Sequence, residues 1–273
     1  MDREIVFGQY YPKNSLVHKL DPRTKLLSGL LMIIVAFFAK SYYSYAVCYG
    51  FLAIVILASR IPLKSILKTV KAIIVVLVLT LILNIFFYKD GKPLVSWKFI
   101  LITDEGLIYA SKMALRVIFL VVSTSLITLT TTPMALTDGM ESLMKPLKLI
   151  KFPVHDVALI MSIALRFIPT LMEEVDKITL AQRARGAHFD TGGLVKRAKA
   201  LLPVLIPLFV GTFRRADELA MALDARCYNA TPKRTKMKPL KFALRDAFAM
   251  LAVCAFFVVV VLFYAGVFGA FPI

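Results

Sequence analysis

The sequence predicts an all-α integral membrane protein: about five transmembrane helices plus a cytoplasmic or membrane-interfacial helical coupling module. Three observations predict it. Apolar residues make up 59% of the 273 residues and the mean hydropathy is +0.76, above the soluble norm of roughly half apolar. The apolar residues gather in runs at about 26–39, 42–58, 72–88, 107–132 and 247–271, most of them near the ~20 residues that cross a bilayer. The basic residues behind the net charge of +17 sit between and beside these runs, as cytoplasm-facing loops do. That placement accounts for the charge without nucleic acid, leaving membrane lipids and acidic protein surfaces as its counterparts.

The elements follow in order. A leader, residues 1–25, ends in Leu20-Asp21-Pro22-Arg23-Thr24-Lys25. Asp21 is placed to cap a helix, and Pro22 suits its first position, where a missing N–H costs nothing. The run 26–39 is short of a full span; Lys25 and Lys40 can snorkel and lengthen it, or it forms a tight hairpin with 42–58. It has the basic flank of a signal peptide but no small-x-small cleavage site before Lys40, so it is expected to be retained. In the fourth run Lys112 and Arg116 lie four residues apart, and a snorkelling role suits them.

Counting Lys and Arg orients the chain. The leader has Arg3, Lys13, Lys19, Arg23 and Lys25; the first turn has only Lys40; the next loop has Arg60, Lys64, Lys68 and Lys71. The loop after the third run offsets its lysines with Asp90, Asp104 and Glu105, whereas segment 133–245 carries nineteen cations. The alternation puts the N-terminus and residues 133–245 inside and the C-terminus outside. Three parts result: N-terminal spans 1–132 with the leader 1–25, a coupling-helix module 133–245, and a last span 246–273. Within the module helices are expected at about 137–150, 154–172 continuing into 173–186, and 194–213 continuing into 214–227. Pro133, Pro146, Pro153, Pro169 and Pro203 mark starts or kinks. The apolar halves lie in or under the membrane and the charged halves in the cytoplasm.

The module contains a duplication. Ala184-Arg185-Gly186 and Ala225-Arg226-Cys227 superpose with Asp176 on Asp217, Ala181 on Ala222 and Ile178 on Leu219. Each copy carries a stripe at helical spacing that runs out to its arginine: Leu171, Val175, Ile178, Arg185, and Ala216, Leu219, Leu223, Arg226. A lone arginine there would only meet the free carbonyls and dipole of a helix end. Duplication with matched flanks points instead to two plugs for two similar sockets, with guanidinium suited to bidentate carboxylate pairing. Arg166 and Pro169, in Ala164-Leu165-Arg166-Phe167-Ile168-Pro169, put a charge inside an apolar helix. Such a charge seeks a partner, either Glu173 or Glu174 a turn or two away or a second protein.

Catalytic and metal signatures are missing. The sequence has no G-x-x-x-x-G-K-[ST] loop, no G-x-S-x-G elbow and no H-E-x-x-H pair. His18, His155 and His188 are scattered, and Cys48, Cys227 and Cys254 have neither metal-ligand spacing nor a disulfide framework. No cofactor or metal is expected to be bound by this chain.

Gly8-Gln9-Tyr10-Tyr11-Pro12, followed by Ser15-Leu16-Val17-His18-Lys19 and the capped helix start, resembles the beginning of the energy-coupling factor transporter T components, a CbiQ-like family. Ala164 to Pro169, Ala181-Gln182-x-Ala184-Arg185-Gly186, and Ala216-Asp217-Glu218-Leu219-Ala220-x-Ala222 leading to Ala225-Arg226 are similar to its other signatures, in order, to about residue 228. The resemblance implies a non-catalytic scaffold of an ABC-type vitamin importer in a prokaryotic cell membrane. Its implied partners are two cytoplasmic ABC ATPases, which use ATP and Mg, and an exchangeable S component that captures the vitamin. It implies that Arg185 and Arg226, with Ala184, Gly186, Ala225 and Cys227, dock into grooves of the ATPases, with Arg166, Pro169, Asp176 and Asp217 in the coupling module. Cys227 departs from the family's glycine, which puts helix termination there in question. Two alternatives stand beside this reading: a conventional ABC importer permease with one coupling loop, and an integral-membrane enzyme acting on lipids.

Overall fold

The computed structural model describes residues 10–87, 93–97, 100–187, 189, 193–228 and 240–265. Gly8, Gln9, His188, Thr191, Gly192 and the end of the last apolar run lie outside them. The described residues are mostly helical: α1 Pro22–Phe38, α2 Tyr42–Ser59, α3 Leu63–Ala72, α4 Ile74–Phe87, α5 Asp104–Thr130, α6 Pro133–Leu143, α7 Val154–Ala184, α8 Leu194–Ala225 and α9 Leu244–Tyr264. A two-stranded antiparallel hairpin, β1 Pro93–Trp97 and β2 Ile100–Thr103, precedes α5. The chain divides into two compact units, residues 6–155 with 241–273, and residues 156–240 together with 1–5.

In the first unit the leader does what its sequence requires. The Asp21 carboxylate accepts from the Arg23 amide at 2.9 Å, and Pro22 occupies the start of α1. Thr103 and Thr132 cap α5 and α6 in the same way, accepting from the Gly106 and Ala135 amides. These caps satisfy amides that a helix start leaves orphaned. α5 is the hub, packing against α1, α2, α3 and α4, while α1 also meets α6 and α9. Val35, Ala36, Cys48, Leu52, Phe119, Val122, Phe256 and Val260 form the core. Small residues set the closest approaches. A Cβ on Gly139 of α6 would meet Pro22 Cβ at 3.0 Å, and one on Gly29 of α1 would overlap Ile127 of α5.

A buried polar knot ties this unit together at the leader end. The Asp246 carboxylate accepts from the Asp21 amide at 2.7 Å and from the Ala243 amide at 2.9 Å. Lys25 donates to the His18 and Thr130 carbonyls at 3.1 and 3.0 Å. One carboxylate and one ammonium thus satisfy backbone groups from the leader, α1, α5 and the entry to α9, which would be costly if buried unpaired.

The spans differ from expectation in detail. α2, α5, α7 and α9 are each long and apolar enough to cross, and α3 with α4 qualifies as one bent pair, at 54°. The basic segment read as a loop over 60–71 is therefore partly helix. α3 keeps Lys64, Lys68 and Lys71 exposed and buries Ile66, an amphipathic arrangement in which every lysine reaches water or headgroups. α1 has 17 residues, since it starts at Pro22 rather than 26 yet stops at Phe38. The helix expected over 137–150 ends at Leu143 and gives way to a 3-10 turn, Lys145–Ile150. Pro146 has no amide to continue the α-ladder. By contrast, α7 runs unbroken through Pro169, and α8 through Pro203 and Pro207.

Candidate functional site

The second unit is built on two long helices, α7 with 31 residues and α8 with 32. Their half-buried positions repeat at three- and four-residue steps. On α7 they include Phe167, Leu171, Glu174, Val175, Ile178 and Gln182; on α8 they include Leu208, Gly211, Arg215, Leu219 and Leu223, after the buried Val204. Ala216, which the sequence placed on the α8 stripe, is exposed, and Arg215 holds the stripe position instead.

Arg215 has a partner on the other helix. Its Nη2 donates to Glu174 Oε2 at 2.8 Å, with both side chains about three-quarters to two-thirds withdrawn from solvent (25% and 32% exposed). Gly211 makes room for the carboxylate, because a Cβ there would lie 2.9 Å from Glu174 Oε1. Of the alternatives weighed for Arg166, pairing with Glu174 is corrected: the Glu174 ion pair is with Arg215. Arg166 is exposed and forms no ion pair among the described residues. The sequence analysis missed the pairing because its α8 stripe began at Ala216, one residue beyond Arg215. The available signal was that Arg215 continues the row Val204, Leu208, Gly211, so a charge stood on an apolar face.

Both helices end the same way. At α7 the Ala187 amide donates to the Gln182 carbonyl at 3.0 Å and the Gly186 amide to the Arg183 carbonyl at 3.0 Å, with Gly186 at φ +88°. At α8 the Tyr228 amide donates to Leu223 at 3.0 Å and the Cys227 amide to Asp224 at 2.9 Å, with Cys227 at φ +52°. Each set is the paired Schellman closure that satisfies the last carbonyls of a helix. The cap residues also match. Arg185 N reaches Ala181 O and Gln182 O, and Arg226 N reaches Ala222 O and Leu223 O, all within 3.1–3.3 Å. The doubt over Cys227 is thereby answered: termination is the same, and the cysteine adopts the left-handed conformation that glycine holds in the first copy.

The consequence is electrostatic. Ala184, Arg185, Gly186, Ala225, Arg226 and Cys227 are all exposed, and neither Arg185 nor Arg226 forms an ion pair among the described residues. Arg183, one residue before the first tip, lies 5.8 Å over the Phe189 ring, so the two neighbouring cations are treated differently. Each tip presents one guanidinium at the negative end of a helix dipole, which favours a cation there. Its five donors remain available to a carboxylate or to carbonyls. Asp176 and Asp217 are likewise exposed, and Pro169 lies exposed inside α7. The structure thus brings the tripeptides to matching helix ends but does not gather Arg166, Pro169, Asp176 and Asp217 into one cluster around them.

Comparison with known proteins gives a consistent result. The family described as cobalt transport protein, CbiQ, matches residues 13–237. The chain is 52% identical over 246 residues to the energy-coupling factor transporter transmembrane protein EcfT of Ruminiclostridium cellulolyticum, covering 90% of this chain and 92% of that one. The protein of the same name from Clostridium kluyveri is 50% identical, covering 92% and 93%. That of Bacillus subtilis is 44% identical, covering 89% and 91%.

Proposed function

This chain belongs to the CbiQ family of transporter transmembrane proteins, and from that premise we propose that it is the T component of an energy-coupling factor importer. In this reading it scaffolds two cytoplasmic ABC ATPases and an exchangeable S component that captures a vitamin. The observation that carries the reading is the pair of matched helix ends: two exposed arginines in the same closure on two helices joined by the Glu174–Arg215 pair. Two similar plugs suit two similar sockets, whereas a conventional permease offers one coupling loop to one ATPase. The rival lipid-modifying enzyme would need converging polar groups inside the spans.

The mechanism is mechanical. ATP binding with Mg closes the ATPase dimer, and the grooves carry Arg185 and Arg226 with them. α7 and α8 transmit the movement, because a helix resists bending and Glu174–Arg215 couples one to the other. Their apolar halves then re-tilt the S component, changing which side its vitamin pocket faces. Energy from one site reaches the other through a two-state element that both bias. The chain itself holds no nucleotide, since it has no glycine-rich cradle with a lysine for phosphates.

Arg185→Ala and Arg226→Ala, singly and together, test this reading by co-purification of the tagged chain with its ATPases and by vitamin uptake. Each single change should weaken capture by about tenfold or more, as truncating an anchoring arginine does. The double change should abolish uptake while leaving the chain in the membrane. Lysine replacements should be milder, since they keep the charge and lose the fork. Undiminished uptake and complex yield in the double variant would refute the assignment of these tips.

A further inference from the structure

The end of the membrane unit opposite the leader has a step in it. α1, with 17 residues, is about 25 Å long, short of the ~30 Å hydrocarbon core, whereas α5, with 27 residues, is about 40 Å. The two run antiparallel. The start of α1 is held at Thr130 through Lys25, and its end at Arg116, whose Nη2 donates to the Ala39 carbonyl at 3.3 Å. α2 begins at the same level, where Arg116 Nε donates to the Tyr45 hydroxyl at 3.2 Å. From Arg116 back to Asp104, α5 continues about 18 Å past the end of α1, with α4 along it and the Tyr42 hydroxyl of α2 reaching Ser111. A cavity of about 550 Å³ occupies the step, with Phe37, Lys40, Tyr45, Lys112 and Arg116 in its wall.

Its charge is one-sided. Among the described residues three cations line the cavity and no carboxylate does. Their partners among the described residues are neutral. Lys40 donates to the Tyr264 hydroxyl at 3.3 Å and lies 4.4 Å from that ring's centroid, and Lys112 lies 5.2 Å over Tyr42. Arg116 has the Tyr45 hydroxyl, the Ala39 carbonyl and the Met113 thioether. None of the three forms an ion pair among the described residues. Lys112 and Arg116 are moreover like charges four apart on one helix face, an arrangement that repels. Cations gathered beside spans need a counter-charge, and the described residues supply none in this recess.

An apolar track leads out of the recess. Leu30, Ile34 and Phe37 are all exposed, by 55%, 36% and 61%, and their spacing of four and three places them on one side of α1. A free anion would satisfy the cations and leave this track bare; an anion on an acyl chain covers both. We propose that the recess binds the phosphate of an anionic phospholipid, with Lys40, Lys112 and Arg116 as its counter-charges and the Leu30–Ile34–Phe37 track taking an acyl chain. The site depends on the chain lying in a membrane and not on what its arginine tips engage.

Native mass spectrometry of the full-length detergent-solubilised chain tests it, with dioleoyl phosphatidylglycerol, dioleoyl phosphatidylcholine and inorganic phosphate as probes. The wild-type chain should retain phosphatidylglycerol at concentrations where phosphatidylcholine is lost. Lys40→Gln/Lys112→Gln should weaken that retention roughly thirtyfold, the worth of removing two surface cations facing an anionic lipid. Lys40→Arg/Lys112→Arg should keep it. Arg116 stays in place in both variants, because it holds the α1–α2 turn. Equal retention of the two lipids, or unchanged phosphatidylglycerol retention in the Gln variant, would overturn the proposal. Displacement of the lipid by millimolar inorganic phosphate would also overturn it, showing a free-anion site instead. If the Gln variant fails to fold, the lipid preference of the wild-type and Arg chains and the phosphate competition decide the matter.

Discussion

Cys227 holds a backbone conformation that glycine adopts without steric cost. At φ +52° its Cβ crowds the following carbonyl, a strain of ~1–2 kcal/mol for a non-glycine residue. Glycine would relieve that strain but has more freedom to lose on folding, worth roughly 0.5–1 kcal/mol. Cys227→Gly should therefore stabilise the α8 end by up to about 1 kcal/mol, read as slower hydrogen exchange at the Tyr228 amide. Docking through Arg226 should be unchanged, because the closure already has the form that glycine gives Arg185. Faster exchange in the variant would mean that the sulfur packs against something and is not merely tolerated. The arginines, their flanking alanines and the cap at Asp21 were legible because each depends on residues within four positions. The φ of Cys227 was not, since a cysteine carries no signal for a left-handed turn.

At the scale of elements, α7 and α8 depend on a contact that neither sequence stripe announces. Glu174 lies in the space left by Gly211 and meets Arg215 at 2.8 Å, partly shielded from water. Glu174→Gln keeps the shape and removes the charge; Gly211→Val pushes the carboxylate away. Each should cost about 1 kcal/mol or less in stability, the range of partly exposed ion pairs. Each should nevertheless reduce uptake more than it reduces ATPase capture, because the tips stay intact while the brace between them loosens. Equal losses in both readouts, or none in either, would remove the pair from the mechanism. Periodicity correctly gave both helices and their ends near Arg185 and Arg226. It read Arg166 as one candidate partner of Glu174, because a chain four to eight residues away is all that local spacing can examine.

For the whole molecule, the charge bias of the sequence predicts residues 133–245 and the N-terminus in the cytoplasm and Ile273 outside. A reporter fused after Lys236 should be active only as a cytoplasmic protein, and one fused at the C-terminus only as an external protein. Both reporters reading from the same side would break this topology, with α1 and α7 the helices to re-examine. α1, with 17 residues, is about 25 Å long against a hydrocarbon core of ~30 Å, and α7 is long and apolar enough to cross although the sequence assigned it to the module.

What the sequence determined by itself was whatever short-range chemistry or bulk solvation controls. Apolar runs of bilayer length, basic loops and the Asp21-Pro22 start report directly on water, lipid and the first turn of a helix. The duplicated Ala-Arg tripeptide marked the candidate site for the same reason, as a local pattern read twice. Only the tertiary structure decided which distant groups meet. Asp246 lies 225 residues from the Asp21 amide it accepts from, and Arg215 lies 41 from Glu174. Lys40 and Lys112 share one recess only because α1 stops short of α5. Such meetings are set by helix lengths and packing depths summed over whole elements, so a shift of one turn would unmake them without altering any local motif.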